Sequence, residues 1–143
     1  MGRIEFETSD AGALLEETIA MARNSLGVLA SSARRTAGRF QAGDAQGAGA
    51  DLARLVDAIR ALTVLTGAVA DVIDLRRAGK GAVQSAGGTD VTAAVGAALR
   101  ELAECQSEQD WTRTAWCLEQ HLAPAVLRWQ ALFDRFNRLR EAA

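Results

Sequence analysis

Residues that break helices or carry catalysis are scarce in this sequence. Its 143 residues include one proline, one histidine, two cysteines and no tyrosine. The shortage of proline favours uninterrupted helices, and two cysteines do not make the disulfide framework of a small secreted domain. A single histidine excludes most pairings of a general acid with a base or of a nucleophile with its activating base. We therefore expect a helical protein that is not an enzyme.

The charge balance argues against a nucleic-acid partner. The 16 basic and 18 acidic residues give a net charge of -2, so no overall field attracts nucleic acid or an anionic membrane. The arginines form separate groups interleaved with acidic residues, without the clustered basic patch and stacking aromatics of a nucleic-acid site.

Long apolar runs are also missing. The longest charge-free run in a helical segment, Ala61 to Ala70, is about half of the roughly 20 apolar residues that a membrane span needs. The N-terminal MGRIEFETSD has acidic residues where a secretory signal has a basic start and an apolar run. We expect a cytoplasmic protein that does not bind a membrane.

Apolar residues recur at steps of three and four along four segments, which is the spacing of one buried helix face. This pattern predicts helices over about 10–42, 45–78, 90–108 and 111–140. The last segment has the most regular stripe, formed by Trp111, Ala115, Leu118, Leu122, Ala125, Trp129, Leu132, Phe136 and Leu139. The sequence therefore predicts one all-α domain over residues 1–143, a four-helix antiparallel bundle made of two long helical hairpins.

Capping residues and glycines indicate where the chain turns. Thr8, Ser9 or Asp10 can cap the first helix, and Asp110 can cap the fourth. Gly43 can end the first helix in a left-handed conformation, and Asp44 can cap the second helix. Four glycines between residues 78 and 89 indicate a flexible linker over about 79–89.

Pro124 lies inside the fourth predicted helix, where it removes one backbone hydrogen bond and should kink the helix near Gln120 and His121. His121 stands beside this kink, so we expect it to bond a freed carbonyl or to face solvent. The chain has no Glu-x-x-His motif for a di-iron site, and two cysteines alone cannot complete a zinc site. We expect no cofactor and no metal.

One face of the fourth helix carries residues that a plain bundle does not require. At about 100° per residue, Trp116 projects roughly opposite to the buried stripe, with Leu127 close to the same line. Arg113 and Gln120 share this side, and a tryptophan beside arginine is typical of interaction hot spots. These four residues are candidates for a partner-binding surface. The alternative is that the kink changes the register, or that Ile4 and Phe6 of the N-terminal arm cover Trp116.

The uncharged stretch Ala61–Ala70 is the second unusual feature. A helix without charge on any side indicates either a position in the middle of the fold or contact with another subunit. Both interpretations remain open at the level of sequence.

The stretch FQAGDAQGAGADLARLVDAI and the closing WCLEQHLAPAVLRWQALFDRF segment resemble the bacterial flagellar export chaperones of the FliS and FliT type and related uncharacterised helical-bundle families. The resemblance is one of general pattern over most of the chain. It implies a non-enzymatic protein that holds a partner's helix in a groove between its own helices.

Two functional hypotheses follow. The first is a chaperone-like adaptor that binds a protein partner or a second copy of itself through the Trp116 and Leu127 face or through Ala61–Ala70. The second is an enzyme or small-ligand carrier with a pocket between helices near His121 and Cys117.

Overall fold

The computed structural model describes residues 2–77 and 88–142, and the side chains of residues 12–75 and 90–141. Helix α1 is Gly2–Gln41, α2 is Ala45–Arg77 and α3 is Gly88–Ser107. The fourth helix consists of α4 (Trp111–Cys117), a π-helical turn (Leu118–Leu122) and α5 (Ala123–Ala142), which follow one another without a break. The protein is an all-α bundle of four helices, and residues 2–77 and 88–142 contain no strand. Most of the predicted linker over 79–89 lies outside the described residues.

Both predicted interhelical turns are confirmed. Gly43 has a φ of 87°, the left-handed conformation that ends α1. The Asp44 carboxylate accepts a hydrogen bond from the Gly47 backbone N–H at 3.0 Å. The Asp110 carboxylate accepts one from the Arg113 backbone N–H at 3.1 Å. Each aspartate therefore satisfies an amide that the first helical turn leaves without a partner.

Helix α1 begins earlier than the capping residues predict. It starts at Gly2, so Thr8, Ser9 and Asp10 lie inside the helix and do not cap it. The reason is that these residue types favour a helix start but are only mildly unfavourable within a helix, and neither proline nor a glycine pair stops the helix there.

The arrangement of the helices follows from their side-chain contacts. Helix α1 packs most extensively against the fourth helix and also packs against α2, while α3 packs on the fourth helix. An ion pair of 2.5 Å between Arg39 and Asp51 joins α1 to α2, and one of 2.6 Å between Arg23 and Asp134 joins α1 to α5. Helices α2 and α3 have at most slight contact with each other.

The core contains the predicted apolar stripes and two further large residues. Every predicted position from Ala115 to Phe136 in the fourth helix is buried, whereas Trp111 and Leu139 at its ends are partly buried. Val126 and Phe133 are also fully buried, although they stand outside the predicted stripe.

A π-helical turn interrupts the α-helical hydrogen-bond pattern of the fourth helix just before Pro124. The backbone N–H of Ala123 bonds the Leu118 carbonyl, five residues back, and Pro124 has no N–H to continue the α-helical pattern. A π turn holds more residues than an α turn, so all later side chains are rotated relative to a straight α-helix. Val126 and Phe133 project beside the predicted stripe even at a constant 100° per residue, because Phe133 stands about five full turns after Ala115 and Val126 lies about 20° from the same line. The predicted kink at Pro124 remains a prediction, since the observed change is one of hydrogen-bond register.

Candidate functional site

The fourth helix exposes the face that the sequence analysis selected. The Trp116 side chain is 52% exposed, and Leu127 and Gln120 are also exposed. Trp116 thus points away from the core, as its helical projection predicts. The side chains of Ile4 and Phe6 lie outside the described residues.

His121 packs on Trp116, which the sequence analysis did not anticipate. The two ring centroids are 4.7 Å apart and their planes are inclined by 53°. Residues five apart lie on different faces of an α-helix but close to one face of a π-helix, because a π turn contains more residues. The π-helical turn at Leu118–Leu122 therefore creates this aromatic pair. His121 is exposed, in agreement with one of its two expected roles.

Glu101 of α3 is the charged centre beside this pair. Its carboxylate lies 3.7 Å from His121 Nδ1 and 3.9 Å from an Arg113 guanidinium nitrogen. Arg113 also lies 3.7 Å from Glu108. The partner-binding candidate Arg113 is therefore engaged in ion pairs that join the fourth helix to α3. Sequence reasoning missed Glu101, because only the packing of α3 on the fourth helix brings it here.

The cysteine near this cluster is buried and chemically quiet. Cys117 has no exposed surface, and its thiol donates a weak hydrogen bond to the Ala98 carbonyl at 3.8 Å. Burial raises the pKa of Cys117 to about 12, and the nearby Glu101 carboxylate adds to this effect. Burial also raises the pKa of Cys105, the other free thiol. Because the thiolate is the nucleophile, Cys117 is poorly suited to nucleophilic chemistry in the folded protein.

The pocket that the sequence predicts near His121 and Cys117 stays a prediction. Leu118 and Leu122 next to Cys117 are fully buried and belong to the hydrophobic core. In the described ranges, no three histidine, cysteine, aspartate or glutamate side chains come close enough together to hold a metal ion.

The uncharged stretch Ala61–Ala70 lies at the surface. Leu62 and Val69 face the core, but Val64 is 75% exposed and Gly67 is also exposed. The interpretation of this stretch as a central segment is therefore wrong. The physical reason is that α2 packs mainly on α1, which leaves its opposite side uncovered.

An apolar groove of about 900 Å³ borders this stretch, between α2 and α3. Its floor lies over Trp129, Leu132 and Phe136 of α5, each of which is at most 4% exposed. Small side chains predominate on both walls, so they do not fill the space between the two helices. These residues are Thr63, Thr66, Gly67 and Ala70 on α2 and Thr92, Ala93 and Gly96 on α3. A Cβ atom added at Gly67 would meet no atom within 4 Å. The groove is thus open to a molecule from outside.

Two polar features stand at the groove. The Trp129 indole N–H donates a hydrogen bond to the Thr66 hydroxyl at 3.0 Å, which fixes the ring as part of the floor. Arg60 lines one end of the groove, and the Arg100 guanidinium lies close to Gly96 on the opposite wall. The groove therefore combines a fixed aromatic ring beneath it with one arginine on its α2 wall and another close to its α3 wall.

Comparisons with protein-family models, with curated protein sequences and with solved structures find no match to this chain. No helix within the described ranges is both long and apolar enough to cross a membrane. The geometry of the groove and of the Trp116 face is the basis for a functional proposal.

Proposed function

We propose that the protein is a non-enzymatic, chaperone-like adaptor of the cytoplasm, and that its groove between α2 and α3 binds a helix of a protein. The observation that carries this proposal is the exposed, uncharged stretch Ala61–Ala70 along an apolar groove of about 900 Å³. Large exposed apolar surfaces are unusual on soluble domains and mark interaction sites. The same role is implied by the resemblance to flagellar export chaperones.

The shape of the groove suits a helix. Its α2 wall extends over 12 residues, from Ile59 to Ala70. At 1.5 Å per residue these span roughly 16 Å, which matches three turns of a docked helix. Small residues on both walls allow close approach of a third helix between them, because interaxial distances depend on the side chains at the contact. Amphipathic helices bind such grooves through apolar residues at steps of three and four.

The alternative hypothesis of an enzyme or ligand carrier has less support. His121 is exposed on the aromatic pair, whereas Cys117 is enclosed in the core with a raised pKa. These two residues therefore do not share an open pocket in which a substrate could meet both.

The proposal is tested by filling the groove. Gly67→Leu places a large apolar side chain in the open space of the groove, whereas Gly38→Leu makes the same change at an exposed glycine of α1 that also has no atom within 4 Å of the added carbon. Both variants are used as bait for affinity capture from the native cell, followed by mass spectrometry. We expect Gly67→Leu to lose the partner and Gly38→Leu to retain it.

Trp116→Ala serves as a third bait and separates the two candidate surfaces. Loss of the partner only with Trp116→Ala would transfer the binding site from the groove to the Trp116 face. Equal capture by all three baits and by the unmodified chain would overturn protein binding through either surface.

A further inference from the structure

We propose that the helix that fits this groove is α2 of a second copy of the chain, so that the protein forms a dimer with two-fold symmetry. The inference rests on the proposed function, because it assigns an occupant to the same docking surface. It starts from four exposed residues of α2, Arg60, Val64, Gly67 and Asp71. Their steps of four, three and four place them on one stripe of the helix, within about 60° of one another.

This stripe is complementary to itself when one helix is reversed. Arg60 and Asp71 are equally distant from a centre between Leu65 and Thr66, and so are Val64 and Gly67. In a two-fold symmetric pair, each contact occurs twice with the roles exchanged. Two antiparallel copies of α2 that cross at this centre therefore place Arg60 of each copy beside Asp71 of the other, and Val64 of each copy beside Gly67 of the other.

The apolar part of this contact fits in shape. Val64 is 75% exposed and projects from the helix, whereas a Cβ atom added at Gly67 would have no atom within 4 Å. A projecting valine therefore meets an open space in the partner. On the opposite wall, Ala93 and Gly96 leave room for the partner's helix to lie in the groove.

The charged ends fit in sign. Arg60 and Asp71 form no ion pair with any of the described residues, and they lie roughly 16 Å apart along α2 at 1.5 Å per residue. Between them the stripe carries no charge. The pairing of opposite charges at both ends fixes the antiparallel register, because a parallel pair would bring arginine beside arginine and aspartate beside aspartate.

The decisive experiment exchanges these charges and measures the molecular mass by sedimentation equilibrium. The unmodified chain should have twice its monomer mass of 15.1 kDa. Arg60→Asp brings two aspartates together at each end, and Asp71→Arg brings two arginines together. Each single variant should dissociate at a concentration at least about tenfold higher than the unmodified chain does, because like charges face each other across the interface.

Two controls separate this effect from misfolding. The double variant Arg60→Asp/Asp71→Arg restores opposite charges at both ends and should dimerise like the unmodified chain. An equimolar mixture of the two single variants should also form a dimer, since one copy then carries only aspartate and the other only arginine at these positions. Circular dichroism confirms that each variant is helical.

Several outcomes would overturn the dimer. The first is an unmodified chain that stays monomeric at about 100 μM, a concentration well above the micromolar range of ordinary specific association. The second is a single variant that dimerises as strongly as the unmodified chain does. The third is an equimolar mixture of the two single variants that dimerises no more strongly than either variant alone. A monomeric chain whose partner capture is still lost in Gly67→Leu overturns the dimer and leaves the proposed adaptor function intact. If the exchanged charges control dimerisation but Gly67→Leu and Gly38→Leu capture the same proteins, the dimer is supported and the proposed adaptor function is overturned.

Discussion

The hydrogen bond between Trp129 and Thr66 should make a measurable contribution to stability. Trp129 is only 4% exposed, and its indole N–H donates a hydrogen bond to the Thr66 hydroxyl at 3.0 Å. The Thr66 hydroxyl in turn donates to the Leu62 carbonyl at 2.6 Å. Thr66→Val keeps the shape of the side chain but removes the acceptor. The indole N–H then loses its partner in a buried site, which costs about 1–3 kcal/mol of unfolding free energy. At roughly 4 °C per kcal/mol, the unfolding midpoint should fall by about 4–12 °C.

A double-mutant cycle isolates the hydrogen bond from other effects of the substitutions. Trp129→Phe removes the N–H group, so Thr66→Val on this background leaves no donor without a partner. We expect Thr66→Val to cost at least about 1 kcal/mol less there than in the unmodified chain, as measured by urea unfolding followed at 222 nm. An equal cost on both backgrounds would refute the claim that this bond links α2 to α5.

Three further predictions concern stability. Gly67→Ala should raise the unfolding free energy by about 0.5–1 kcal/mol in thermal unfolding, because alanine favours helix and the added carbon meets no atom; a loss would show that the site is not open. Asp110→Ala should lower the urea-unfolding free energy by about 1 kcal/mol through loss of the cap on α4, and an unchanged midpoint would contradict this. Because the Cys117 pKa is raised from its ordinary value of 9.0 to about 12, the unfolded chain loses this proton above pH 9.0 while the folded chain keeps it. Stability should then fall by up to about 1.4 kcal/mol per pH unit towards pH 12, and Cys117→Ala should show a shallower fall; parallel curves would disprove the assignment.

The sequence predicts the helices and their buried faces because both depend on local periodicity. Leu118 and Leu132 are buried for the same reason that they recur on the apolar stripe of the fourth helix. Gly43 acts at its turn through its backbone conformation, and Asp110 through its side chain. The outward position of Trp116 follows from the same projection. These features need no knowledge of which helices are neighbours.

The groove and the polar cluster depend on distances between helices, which no local pattern encodes. The lack of charge in Ala61–Ala70 indicates an unusual segment. Only the separation of α2 from α3 in the structure shows that this segment borders an open groove. Glu101 similarly becomes the partner of His121 and Arg113 only when α3 packs on the fourth helix. The π-helical turn adds a local change of hydrogen-bond register, which the apolar periodicity does not encode.

That turn also bears on how the fourth helix could change during evolution. A π-helical turn is equivalent to one residue inserted into an α-helix. A related bundle with an unbroken α-helix would therefore align with this chain only if one residue between Leu118 and Leu122 were left opposite a gap. Without that gap, every position from Ala123 onward would be compared with a residue on a different side of its helix, and the shared core would be invisible to a residue-by-residue comparison.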